Sequence, residues 1–256
     1  MRIHMLSTPR QTVLITGASR GIGAATAEAA LEAGATVIGS YRTAPAMLDR
    51  LTARYGADRV HAVRADLAQP AAAGELWEEA MELAKGGLTG LVNNAGIAPA
   101  TPIDADIQVW RRDWSEVLAV NTRAVADLCR LAILSFRRRG GGRIVNIASR
   151  AAFRGDNADY LHYAASKGAV VALTRSIARA WAGDGVLAFV VAPGWVKTDM
   201  ASIIYEPGNE LALAEIPMGD AAPPEQVANM IVFLLSGKVD HATGATFDIN
   251  GASYVR

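Results

Sequence analysis

Short apolar runs alternate with longer stretches of helical period from one end of the chain to the other. The pattern predicts strands over 12–16, 36–40, 60–64, 90–93, 143–148, 187–192 and 246–249. Helices are predicted near 21–33, 47–55, 72–85, 107–138, 163–182 and 224–235. Several strands are unbroken apolar runs, such as Val13-Leu14-Ile15 and Phe189-Val190-Val191, as strands covered on both faces require. Regular strand–helix alternation implies right-handed crossovers. The expected fold is therefore α/β, a Rossmann-type doubly wound parallel sheet of seven strands with helices on both faces. No repeat or low-complexity linker interrupts the alternation, so residues 1–256 are expected to form one domain. The longest stretch without a clear period, 194–223, is expected to be a lid over the substrate.

Of the 256 residues, 51% are hydrophobic and 20% charged, enough apolar material for a single large core. Basic and acidic residues number 25 each, and a net charge of zero gives no reason to expect a nucleic-acid or anionic-membrane partner. The one tight basic run, Arg137-Arg138-Arg139, precedes three glycines and reads as a solvated helix end whose charges suit the C-terminal dipole. Cys129 is the only cysteine, so no intrachain disulfide forms; it is expected to be a small core residue. The histidines, His4, His61, His162 and His241, have no ligand-like spacing, and no metal is expected. No apolar run approaches the ~18 residues needed to span a bilayer. Residues 1–11 lack the apolar stretch of a secretory signal, which makes a cytoplasmic location the expectation.

Chemistry enters after the first strand, in Thr16-Gly17-Ala18-Ser19-Arg20-Gly21-Ile22-Gly23. Glycines there permit a tight strand-to-helix turn and let a pyrophosphate approach backbone N–H groups at a helix N-terminus. The spacing is Gly-x-x-x-Gly-x-Gly rather than the usual Gly-x-Gly-x-x-Gly, and an ordinary glycine turn is the competing reading. The second strand bears on the cofactor. An acid near its end would hydrogen-bond a ribose 2′-hydroxyl, whereas a basic residue accommodates a 2′-phosphate. Here it ends Gly39-Ser40-Tyr41-Arg42-Thr43, with no acid. Arg42, met by Arg20 from the glycine loop, therefore points to NADP(H), against the alternative that Arg42 is only a solvated surface residue.

Tyr163-Ala164-Ala165-Ser166-Lys167 places a phenol and an ammonium four residues apart, on one face of a helix. A phenol with a pKa of ~10 is a poor proton partner at neutral pH, and a fixed ammonium is expected to lower it. Ser149 follows the strand Ile144-Val145-Asn146-Ile147-Ala148, at the carboxyl edge where open α/β sheets bind ligands. Its hydroxyl is a candidate to hold a substrate carbonyl. Alone, a Tyr-x-x-x-Lys pair is as readily an ordinary feature of a helix surface.

Together these motifs resemble a classical short-chain dehydrogenase/reductase, closest in feel to 3-oxoacyl-carrier-protein reductases, from Thr12 to Asn250. The resemblance rests on the glycine loop, Asn93-Asn94-Ala95-Gly96, Asn121, Ser149, Tyr163 with Lys167, and Pro193-Gly194. It implies the same seven-stranded fold, usually assembled as a homotetramer. It also implies that Tyr163 is the proton donor for carbonyl reduction or the acceptor for alcohol oxidation. Lys167 would lower its pKa and bind the nicotinamide ribose, Ser149 would hold the substrate oxygen, and Asn121 would hold a water of a proton relay. Asn94 would help fix the sheet. On the cofactor, the resemblance adds Asp66 and Leu67 toward the adenine, Asn93, Ala95 and Gly96 along the cleft, and Pro193, Gly194, Val196 and Thr198 toward the nicotinamide. These join Gly17, Ser19, Arg20, Gly21, Ile22, Gly23 and Arg42.

Fourteen positions separate Ser149 from Tyr163, one more than the family's commoner pattern, and the intervening loop is expected to reshape the pocket wall. Arg150 and Arg154 lie in this stretch. Either they are surface charges paired with Asp156 or Asp159, or one of them, Arg154 by preference, meets a polar or anionic substrate group. Trp195, Ile203, Tyr205, Leu211 and Met218 in the lid suggest either apolar closure over the substrate or simple helix packing. The helix after Tyr163 carries more apolar surface than one sheet face needs, which suggests a subunit interface. The expected activity is an NADP(H)-dependent oxidoreductase acting on a small carbonyl or alcohol. The alternatives are an NAD-linked alcohol or polyol dehydrogenase and a non-catalytic NADP(H)-binding sensor.

Overall fold

A computed structural model describes residues 11–207 and 210–256. The expectation of no leader, and His4 with it, concerns residues outside these. Seven strands form one sheet: β1 (Thr12–Ile15), β2 (Thr36–Tyr41), β3 (Val60–Arg64), β4 (Gly90–Asn93), β5 (Gly142–Ile147), β6 (Val186–Pro193) and β7 (Thr246–Ile249). Their order is β3-β2-β1-β4-β5-β6-β7 and every pairing is parallel. The order reverses between β1 and β4. At that switch point the two crossovers leave toward opposite faces and open a crevice at the carboxyl ends of the strands.

Alternation along each strand divides the core into two layers. Leu14 and Ile38 point to the face covered by α3 (Ala72–Leu83), α5 (Ala124–Arg139) and α7 (Leu161–Trp181), where they meet Trp77, Leu128, Phe136 and Val170. Val13, Ile15 and Val37 point to the other face and pack with Leu31 of α1 (Gly21–Glu32), Leu51 of α2 (Met47–Tyr55) and Ile231 of α9 (Pro224–Leu235). The unbroken apolar runs are thus buried on both sides. Most of the apolar surface after Tyr163 is spent in this way: Val170, Val171, Ile177 and Ala178 face the core, which leaves less for an interface than the sequence suggested.

The predicted helix over 107–138 is two helices joined by a π turn. α4 (Ile107–Leu118) passes into Ala119–Arg123 before α5 begins, and Asn121 sits in the turn. The lid region contains a 3₁₀ segment (Asp199–Tyr205) and a short α8 (Glu210–Ala214). A single turn, α6 (Ala151–Arg154), follows Ser149.

Candidate active site

β1 ends one residue short of Thr16, which is buried at the head of the crevice and uses its hydroxyl to fix two chains. Its Oγ1 accepts from the backbone N–H of Asn94 at 2.9 Å and of Ala95 at 3.0 Å. Asn94 completes the joint, donating to the carbonyls of Thr16 at 2.9 Å and Gly17 at 3.1 Å. Gly17 and Gly21 have φ of +65° and +54°, which a side chain would strain. A Cβ on Gly23 would lie 2.1 Å from the Gly17 carbonyl oxygen, so only glycine lets α1 close onto the turn. No side chain caps α1 at Arg20, which leaves the first-turn N–H groups of Gly21, Ile22 and Gly23 for a ligand.

Of the other sequence-derived cofactor residues, Arg42 is exposed just past β2, where the adjoining Arg64 donates to its carbonyl at 3.2 Å. Arg64, a further cation at this corner, is not legible in the sequence because it arrives there through the pairing of β3 with β2. Arg20 makes a 3.6 Å ion pair with Asp199 of the lid rather than a contact with Arg42. Thr198 lies over the glycine loop, its Cγ2 within 3.0 Å of where a Gly21 Cβ would stand. Gly194 donates to the Ile249 carbonyl at 2.9 Å, tying the segment after Pro193 to β7, and Val196 bridges to Ala222. Asp66 accepts from the Ala68 N–H at 3.2 Å. Leu67 and Asn93 turn inward. Leu67 is in the core, and Asn93 donates to Asn146 at 2.8 Å beneath the crevice floor, so neither presents its side chain to a ligand. Cys129 lies in the same buried group, its thiol pushed up to about 12 by burial.

Ser149, Tyr163 and Lys167 converge at the carboxyl end of β5. Lys167 is buried and donates to the Ile147 carbonyl at 2.8 Å, and its Nζ lies 5.7 Å from the centre of the Tyr163 ring. A Cβ on Gly96 would stand 3.4 Å from that Nζ, so Gly96 keeps the floor of the site open to the ammonium. Burial lowers Lys167 to about 8. The expectation that the ammonium depresses the phenol is not met in the chain alone: desolvation pushes Tyr163 up to about 12, with a hydrogen bond to Ser149 opposing the rise. The Lys167 ammonium is turned to the Ile147 carbonyl instead.

Asn121 is fully occupied. Its Oδ1 accepts from the Ile97 N–H at 2.9 Å, and its Nδ2 donates to the Ile97 carbonyl at 2.9 Å and to Ser166 Oγ at 3.1 Å. Ser166 in turn donates to the Tyr163 carbonyl at 2.7 Å. The side chain therefore locks the π turn to the β4 loop and to α7.

His162 was also missed by the sequence. Its Nδ1 accepts from the Tyr163 N–H at 2.8 Å, so its Nε2–H faces Thr101 Oγ1 at 3.0 Å, and Thr101 donates to Asp113 at 2.9 Å. This chain pins the start of α7 to α4, directly before the tyrosine. Sequence spacing carries no trace of this role, because Thr101 and Asp113 lie far from His162 along the chain.

The loop after Ser149 corrects the expected pairing. Arg154 pairs neither with Asp156 nor with Asp159, but with Glu215 beyond α8, at 3.0 Å. Arg150, not Arg154, is the buried arginine. In the lid, Ile204 and Ile216 are buried, whereas Met200, Tyr205, Leu211 and Met218 are exposed, so packing accounts for only part of its apolar content.

Comparison with known proteins agrees with this geometry. A family model described as enoyl-(acyl carrier protein) reductase matches residues 17–252. The chain belongs to the short-chain dehydrogenase/reductase family. It is 34% identical to the 3-oxoacyl-(acyl-carrier-protein) reductase of Aquifex aeolicus over 244 residues, which covers 94% of this chain and 96% of that one. A protein of Beutenbergia cavernae assigned as an NAD(P)-dependent gluconate 5-dehydrogenase, crystallised with NADP, is 36% identical, with a TM-score of 0.87 and 95% and 96% of the two chains covered. A blue fluorescent protein from a metagenomic library, in complex with NADPH, is 32% identical, with a TM-score of 0.86 over 96% and 98% of the chains. The chain is an oxidoreductase of this family, and the reductase and dehydrogenase names of its relatives leave its own substrate to be read from the site.

Proposed function

We propose that the protein is an NADP(H)-dependent oxidoreductase that interconverts a carbonyl and a secondary alcohol. The observation that carries this is the meeting of Ser149, Tyr163 and Lys167 at the switch point, beside a glycine turn with uncapped N–H groups and no acid at the end of β2. The glycine turn fits a pyrophosphate, and Arg42, with Arg20 and Arg64 nearby, fits a 2′-phosphate better than a bare ribose. Relatives with NADP and NADPH bound support the same choice. Asp66 borders the adenine side. Gly96, Pro193, Gly194, Val196 and Thr198 border the nicotinamide side.

When bound, NADP(H) supplies the hydride. The chain's own work is to place the substrate oxygen and move one proton. Ser149 holds that oxygen by a hydrogen bond. Tyr163, kept protonated by its high pKa, donates the phenolic proton to it in reduction and takes one back in oxidation. The phenolate left behind is compensated by the Lys167 ammonium, which would also hold the ribose hydroxyls of the bound cofactor. A reaction in which a tyrosine and a serine share one oxygen suits a C=O substrate. The assembly is read as a homotetramer acting in the cytoplasm. Ile107 and Leu118 on α4, Leu134 on α5 and Phe233 on α9 supply exposed apolar side chains for subunit contact.

The test is NADPH consumption against a panel of ketones, β-keto esters, quinones and sugar ketones, with NADH in parallel. Turnover that prefers NADPH is expected. A preference for NADH, or no turnover with any member, would contradict the reading.

A further inference from the structure

Arg150 directly follows Ser149 and is only 6% exposed. Its backbone N–H donates to the Pro193 carbonyl at 2.9 Å, which fixes it between the serine and the segment that borders the nicotinamide side. A guanidinium buried this deeply needs an acceptor for its N–H groups and a counter-charge at close range. Among the described residues Arg150 has neither in full. Nη1 is buried without a partner, and Nη2 stands 3.6 Å from Glu215 Oε2, too far for a hydrogen bond. Arg154 takes the same carboxylate oxygen at 3.0 Å.

The second observation lies against the first. The Arg150 guanidinium lies 5.8 Å from the centre of the Trp195 ring, and the indole Nε1 is also buried without a partner. Two unpaired donors, one of them cationic, therefore belong to neighbouring side chains, one directly after Ser149 and the other in the segment after Pro193. Asp156 is among the charges that act on both Arg150 and Tyr163. Glu215 covers the group from the lid, where the adjoining Ile216 packs against Gly251. The charges facing Arg150 are thus Arg154, Asp156 and Glu215.

We infer that Arg150, with Trp195 Nε1 beside it, is a specificity-determining pair that holds the carboxylate of the substrate, so that the protein acts on a short keto acid and its hydroxy acid. A planar carboxylate has two oxygens and can accept from both donors at once, whereas a neutral ketone leaves both unpaired. Arg154 keeps Glu215 engaged, so the substrate anion need not displace it. This rests on the reductase reading, since it names the substrate class for the same site.

The experiment compares short keto acids with their methyl esters in kcat/KM with NADPH, for the wild type, Arg150→Met and Trp195→Phe. Calorimetry runs alongside, titrating the matching hydroxy acids and hydroxy esters into the protein with NADP present. The wild type is expected to favour the acid. Arg150→Met is expected to cost the acid about 100-fold, and Trp195→Phe about tenfold, with the ester changed less than about threefold. Trp195→Phe removes one donor and little volume, so it remains informative if the arginine variant fails to fold. Equal handling of acid and ester by the wild type, or parallel losses for both, would overturn the inference and make Arg150 a structural residue. Hydroxy acid binding that is lost in the variants, without turnover of any carbonyl, would uphold this inference while removing the reductase reading. Turnover of neutral ketones with no carboxylate preference would do the reverse.

Discussion

Burial moves the two titrating groups of the site in opposite directions, Tyr163 up to about 12 and Lys167 down from 10.5 to about 8. A tyrosine so raised stays a proton donor across the working range, so it sets no limb in the pH profile of reduction. Lys167 does. Its ammonium is present below about 8 and is lost as pH rises through that value, taking with it the charge that compensates the phenolate. The kcat/KM for reduction is therefore expected to be flat at lower pH and to fall on the alkaline side near 8. In Lys167→Arg, whose guanidinium keeps its proton, that limb should vanish from the accessible range even if the plateau is lower. A limb at the same pH in both proteins would assign it to another group. Tyr163, Lys167 and Ser149 were legible in the sequence because their spacing and strand-end position are local. Their protonation was not, because desolvation depends on what the fold lays over them.

The π turn at Ala119–Arg123 shows the same limit for an element. Apolar period gives one helix across 107–138, since inserting one residue into the i+4 ladder leaves the pattern on either side almost unchanged. Only the structure shows that Asn121 closes three hydrogen bonds there, two with Ile97 and one with Ser166. Asn121→Ala leaves buried partners unsatisfied and is expected to cost about 3 kcal/mol. In a chain of this size that lowers Tm by about 8 °C. An unchanged melting curve would mean that the turn is held by its neighbours instead. His162 and Glu215 were hidden for a related reason: each acts on a residue far away in sequence, Thr101 in one case and Arg154 in the other.

For the whole molecule, the sequence was most informative about layering. Continuous apolar strands gave the doubly covered sheet, and all seven predicted strands are present to within a residue or so at each end. Assembly was less legible. The helix after Tyr163 looked like surplus apolar surface, yet most of it lines the core, and exposed apolar side chains stand instead on α4, α5, α9 and the lid. Light scattering is expected to give four times the 26.9 kDa of the chain. A monomer would show that those faces serve something else.

The central claim is that Tyr163 delivers the proton in an NADPH-dependent carbonyl reduction, and the Tyr163→Phe variant tests it most directly. Steady-state NADPH oxidation would be followed for both proteins with a carbonyl that the wild type reduces, and NADPH affinity measured separately by fluorescence. A loss of about 10³ in kcat is expected with cofactor affinity little changed, because the variant removes one hydroxyl and leaves the glycine turn and Arg42 intact. A variant that retained more than about a tenth of the wild-type rate would contradict it, since the proton would then come from another source.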